Sequence, residues 1–264
     1  MGVLDEIVAH KRAEVAAARQ RRPLAELSAA CGRLAPAREF AGALRPVGAQ
    51  RVRVIAEVKR ASPSKGVLAG ALDPAAQAGR YAGAGAAAVS VLTDLKYFGG
   101  SLDDLIAVRA AVDVPVLRKE FIIDEYQLWE ARAAGADAVL LIVAALPAAA
   151  LRDLFAASKG VGLSTLVETH TAEELDQALS LGAPVIGVNN RNLQTLQTSL
   201  DTSLALLPRI PHGTVAVSES GLHHRVDVER VVAAGAHAVL VGEALVRAPD
   251  VAAKLRELSL QGAA

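Results

Sequence analysis

Short apolar runs that end in polar residues, each followed by a segment of helical spacing, recur eight times along the chain. In order they are VIAEVKR from Val54, AAAVSVLT from Ala86, VPVLRKEF from Val114, ADAVLLIV from Ala136, GLSTLVET from Gly162, PVIGVNNR from Pro184, TVAVSES from Thr214 and AVLVGEAL from Ala238. Their near-continuous Val, Ile, Leu and Ala content predicts strands covered on both faces, as in a parallel sheet. The segments between them carry helix starts and stops, which a crossover connection needs. Asp73 before Pro74 has the form of an N-cap and first-turn proline. Ser101 with Asp104, and Thr171 with Glu174, have capping-box spacing. Gly85, Gly135, Gly182 and Gly235 each stand between an Ala-rich helical segment and a strand, where a left-handed C′ residue is wanted.

Eight consecutive βα units predict an α/β fold closed into a (β/α)8 TIM barrel, with an open doubly wound sheet as the alternative on pattern alone. Nearly every run places its polar residues at its C-terminal end, where barrel active sites are built, whereas an open sheet concentrates chemistry at one switch point. Ahead of the first run, Leu4, Ile7, Val8, Lys11 and Val15 repeat at helical spacing, which predicts an amphipathic helix lying on the main body. Residues 1–50 are read as an N-terminal helical extension covering the barrel. Its Ala- and Arg-rich later part would cover the N-terminal end or help to close the mouth. Residues 1–264 are read as a single barrel domain.

Composition narrows the function classes. The formal charge is zero and no basic stripe is present, so nucleic acid is not expected as a partner. The single cysteine, Cys31, can form neither an internal disulfide nor a cysteine metal cluster. The N-terminal stretch lacks the continuous apolar run of a signal peptide or membrane span, so no membrane association and a cytoplasmic location are expected. There is no GxGxxG after a strand, no P-loop and no HExxH, and His223 with His224 form the only adjacent histidine pair. No metal and no cofactor are expected.

Alternation along the first strand puts Ile55, Glu57 and Lys59 on one face and Ala56, Val58 and Arg60 on the other, so two opposite charges point into the mouth. Lys119 ends the third run and Glu168 the fifth; Asn189 and Arg191 end the sixth, and Glu219 with Ser220 the seventh. One such residue is an ordinary solvated strand end, but a ring of them at equivalent positions points to acid–base or Schiff-base chemistry. Glycines in SESG (218–221) and in LVGEAL (240–245) follow the last two strands, where backbone N–H groups can cradle a phosphate. A phosphorylated small molecule is the expected partner.

The stretch VIAEVKRASPSKG (54–66) closely resembles the signature of the indole-3-glycerol phosphate synthase family. The resemblance continues through TDLKYFGGS, LRKEF, LVET, GVNNRNL, SESGL and VGEALVR, and takes in LDEIVAHKRAEV at the start. It implies a carboxy-lyase of tryptophan biosynthesis acting on 1-(2-carboxyphenylamino)-1-deoxyribulose 5-phosphate. It also implies a catalytic set of Glu57, Lys59, Lys119, Glu168, Asn189 and Ser220. Substrate contacts would come from Ser62, Phe98, Arg191 and Glu219, and the phosphate would be held by Lys59, Gly221, Gly242 and Glu243. A carboxylate repels phosphate, so only the backbone of Glu243 would bind, with its side chain turned away. The segment RNLQTLQTSLDTS from Arg191 is less acidic than the family form and is read as a connecting loop. A monomer, or at most a weak dimer, is expected. The rival readings are a Schiff-base aldolase using Lys119 as nucleophile, and a sugar-phosphate binder without catalysis.

Overall fold

The structure is a computed structural model that describes residues 2–47, 52–62 and 65–261. Residues 48–50 of the expected extension, and 63–64 of the signature stretch, lie outside the described residues. All eight expected strands form: β1 (Arg53–Val58), β2 (Ala88–Leu92), β3 (Val116–Lys119), β4 (Ala138–Ile142), β5 (Ser164–Thr169), β6 (Val185–Asn189), β7 (Val215–Glu219) and β8 (Ala238–Val241). They pair in parallel in chain order, and β8 returns to β1, closing the barrel and excluding the open sheet. A short antiparallel hairpin, Ala61–Ser62 with Gly66–Val67, stands on the loop after β1.

Strand alternation sorts the core into two layers. Ile55, Leu117, Leu140, Leu166, Val217 and Leu240 pack together inside the barrel. Ala56, Val58, Val89, Val139 and Ile186 face outward against the helices. The charged residues at the strand ends inherit this register: Glu57 follows Ile55, Lys119 follows Leu117 and Glu168 follows Leu166 on the inner face.

The helices start where capping chemistry directs. In α4 (Pro74–Gly83) the Asp73 side chain accepts from the Ala76 N–H. In α6 (Leu102–Ala111) Ser101 accepts from the Asp104 N–H, and in α9 (Ala172–Ser180) Thr171 accepts from the Glu174 N–H. The four glycines expected to end helices all have positive φ. His223 and His224 are exposed, and His224 is the N-cap of α11 (Arg225–Ala233).

The first helix lies on the body as expected, and of the two alternatives for the later part of the extension its last helix takes the first, covering the N-terminal end. Helix α1 (Val3–Arg21) lies over the mouth, where Leu4 and Ile7 join the interior cluster beside Phe121 and Ile142. Helix α2 (Leu24–Cys31) packs Leu27 against Tyr126 of α7 (Glu125–Ala133), and the Tyr126 hydroxyl donates to the carbonyls of Ala18 and Arg22. The short helix α3 (Phe40–Ala43) plugs the opposite end, with Phe40 and Leu44 fully buried among the first residues of the strands, Val185, Val215 and Ala238. The chain thus passes from the top of the barrel to its bottom before entering β1. Among the described residues, no helix is long and apolar enough to cross a membrane.

Candidate active site

The C-terminal ends of the strands surround a cavity of about 720 Å³. Glu57, Lys59, Ser62, Phe98, Lys119, Glu168, Asn189, Arg191, Ser220, Gly221, Gly242 and Glu243 all line it, so residues far apart in the chain meet in one place. Glu219 does not line it. It lies beneath the floor, 1 % exposed, and its carboxylate accepts from the Lys119 ammonium at 3.1 Å. Its reach toward substrate is therefore indirect, through Lys119.

Lys119 is the hub. Its Nζ lies 3.1 Å from Glu219, 3.5 Å from Glu168 and 3.9 Å from Glu57. Burial opposes its charge, but three carboxylates outweigh burial and raise its pKa above the ordinary lysine value. The carboxylates part company. Burial would raise the Glu168 pKa, yet Lys119 and His170 hold it well below the usual carboxylate range. Burial pushes Glu219 up, and the nearby charge of Glu168 adds to that against the pull of Lys119. One Oε of Glu168 and one of Glu219 are buried with no hydrogen-bond partner. The Glu168 oxygen still has the Lys119 charge at 3.5 Å, whereas the Glu219 oxygen faces Gly187, away from the cavity.

Around the hub the supports are specific. Lys59 lies 3.4 Å from Glu57 and stands over the Phe98 ring at 5.7 Å from its centroid. Phe98 ends helix α5 (Leu95–Phe98), whose N-cap, Asp94, is itself buried. On the far wall Asn190, a residue the sequence reading passed over, bonds to Ser218 and to the carbonyl of Ser220 through its side-chain nitrogen. That clamp holds Ser220 at φ 67° followed by Gly221 at φ 75°, two successive left-handed residues that turn the backbone toward the cavity. Space rather than conformation favours glycine at Gly242: its φ is −117°, and a Cβ there would stand 2.7 Å from Glu57 Oε1. The Glu243 carboxylate pairs with Arg247 at 3.2 Å along helix α12 (Glu243–Val246).

Two features differ from the sequence reading. The less acidic stretch after β6 is more than a connection, because Leu193, Leu196 and Thr198 form part of the cavity wall. Glu120, adjacent to Lys119 in LRKEF, also reaches the cavity rim, where it meets Lys11 of α1 at 3.0 Å. Strand alternation sends Glu120 away from Lys119, so no local signal linked it to the N-terminal helix.

A closed parallel barrel with its charges and glycine turns gathered at the C-terminal mouth is a TIM-barrel enzyme. The solved structures it resembles share that fold at low identity. A 3-hexulose-6-phosphate synthase from Salmonella typhimurium aligns over 79 % of this chain and 97 % of its own at TM-score 0.62 and 16 % identity. A thiamine phosphate pyrophosphorylase from Pyrococcus furiosus aligns over 83 % and 96 % at TM-score 0.60 and 15 % identity. Sequence is far more specific. The family described as indole-3-glycerol phosphate synthase matches residues 4–258. An indole-3-glycerol phosphate synthase of Laribacter hongkongensis is 54 % identical over 97 % of this chain and 98 % of that protein. One from Kineococcus radiotolerans is 52 % identical over 100 % and 97 %. The chain belongs to the indole-3-glycerol phosphate synthase family.

Proposed function

We propose that the cavity converts 1-(2-carboxyphenylamino)-1-deoxyribulose 5-phosphate to indole-3-glycerol phosphate, carbon dioxide and water by general acid–base catalysis. The observation that carries this reading is the Lys119 ammonium, held at the cavity floor among three carboxylates. In ring closure the aromatic carbon that bears the carboxylate attacks the ketone carbon. The ketone oxygen takes a proton from Lys119 and becomes a hydroxyl. The carboxylate leaves as carbon dioxide, and its bonding electrons restore the aromatic ring. The hydroxyl then takes a second proton and departs as water while the five-membered ring loses a proton. No step is a net oxidation or reduction.

Glu168 balances the Lys119 charge and is our candidate for proton transfer in dehydration. Glu57 orients Lys59 and the sugar hydroxyls. Lys59 and Arg191, with the backbone at Gly221, Gly242 and Glu243, hold the anionic groups. Ser62, Phe98, Asn189 and Ser220 complete the contacts. A Schiff-base lysine must be unprotonated to attack, and Lys119 is held in the opposite state, which argues against the aldolase reading. We further take residues 1–264 as one barrel domain, a monomer or weak dimer in the cytoplasm, working without metal, cofactor or nucleic acid. The test is to mix the purified protein with that substrate and follow indole fluorescence. Product formation is expected; a folded protein that binds the substrate and yields no indole would leave the binder reading instead.

A further inference from the structure

His170 lies one residue beyond β5, two positions after Glu168, and shares the inward side of that strand end. It does not line the cavity; its side chain is 10 % exposed. Its Nδ1 is 3.1 Å from Glu174 Oε2, and the same oxygen accepts the His170 backbone N–H at 2.7 Å. Its Nε2, buried and without an aligned hydrogen-bond partner, is 3.4 Å from Glu168 Oε1. A carboxylate, an imidazole and a second carboxylate therefore stand in line behind the group that faces Lys119.

We propose that His170, held by Glu174, is a positioning residue that fixes Glu168 in its ionised form and orientation against Lys119. This rests on the role given to Glu168 above. Charge explains why an imidazolium is wanted there. The groups facing Glu168 are Lys119 from β3, Asn189 from β6 and, beyond Lys119, the carboxylates of Glu57 and Glu219 from β1 and β7. Lys119, with Lys59 paired to Glu57 at 3.4 Å, faces three carboxylates, which leaves negative charge in excess, and His170 supplies a further cation on the outer side of Glu168. Burial works against a charged imidazole, but Glu168 and Glu174 outweigh it and hold the His170 pKa up at about 10.

The experiment measures kcat and KM against pH for the wild type, His170→Asn, Glu174→Gln and Glu168→Gln, with folding checked by circular dichroism. In His170→Asn, we expect kcat to fall by up to about 100-fold, as for a misplaced catalytic group. KM should stay near the wild-type value, and the acid limb should rise by about one pH unit or more as Glu168 loses a neighbouring cation. Glu174→Gln should move the alkaline limb down, because His170 then deprotonates earlier. Nitrogen-15 spectra of histidine-labelled wild-type enzyme should show a protonated His170 ring at pH 8, a readout that does not depend on any variant folding. A neutral ring at pH 8, or a wild-type pH profile in His170→Asn while Glu168→Gln is inactive, would overturn the inference alone. Normal turnover in Glu168→Gln would overturn it together with the role assigned to Glu168.

Discussion

Two lysines stand at the mouth of this barrel, one buried and one half-buried, each among three carboxylates, and they are held very differently. Lys11, from α1, meets Glu14, Asp94 at 2.8 Å and Glu120 at 3.0 Å. Every carboxylate oxygen on its buried partners is occupied. Asp94 Oδ1 accepts the Tyr97 N–H, Glu120 Oε1 accepts the Phe121 N–H and Glu120 Oε2 accepts the Thr93 hydroxyl. Around Lys119 one hydrogen bond forms, two contacts are long, and two carboxylate oxygens have no hydrogen-bond partner. The same four charges thus make a tight latch in one place and a looser cluster at the cavity floor in the other. A fully satisfied network holds structure, whereas a looser cluster of shifted charges beside a cavity is where chemistry is expected.

The largest expected effect falls on the looser cluster. Replacing Lys119 by Met should lower kcat by about 10²–10⁴-fold, the range for removing a general acid. Next comes the latch. Lys11→Met leaves Asp94 and Glu120 buried without their cation and should cost about 3–5 kcal/mol in denaturant unfolding, while folded molecules keep turning over. If Lys11→Met left stability unchanged and abolished turnover, the contrast between the clusters would be reversed.

A smaller, pH-dependent effect separates the two lysines from their surroundings. The folded-state pKa of His170 is raised from 6.5 to about 10, so its contribution to stability is complete below pH 6.5. That contribution fades as pH rises and is gone above about 10. The stability difference between wild type and His170→Asn, followed by urea unfolding across that window, should therefore shrink with rising pH. A difference that grew would contradict the assignment. Smallest of all, Asp73→Ala removes an N-cap remote from both clusters and should cost about 1 kcal/mol with kcat unchanged.

The strands were legible because parallel barrel strands are apolar on both faces and their ends must carry polar residues. Capping residues and left-handed glycines punctuated the rest. Alternation from Ile55 placed Glu57 and Lys59 inside without any structure. What stayed hidden depended on partners distant in the chain. Lys11 sat visibly on the apolar face of the first helix, but its partners are 83 and 109 positions away. The depth of Glu219 was equally unreadable, because it is set by Gly187 on the neighbouring strand, where a Cβ would stand 2.2 Å from Glu219 Oε1. His170 did carry a signal, its two-residue spacing from Glu168, yet only Glu174 on the following helix gives that spacing meaning. The path of residues 22–47 down the outside of the barrel has weak local patterning, and tertiary contacts through Leu27, Phe40 and Leu44 decide it.

The most direct test is a single-turnover measurement of indole formation by Lys119→Met and Lys11→Met, compared with the wild type at equal concentrations of folded protein. The account predicts a wild-type-like burst from Lys11→Met and almost none from Lys119→Met. A full burst from Lys119→Met would contradict it.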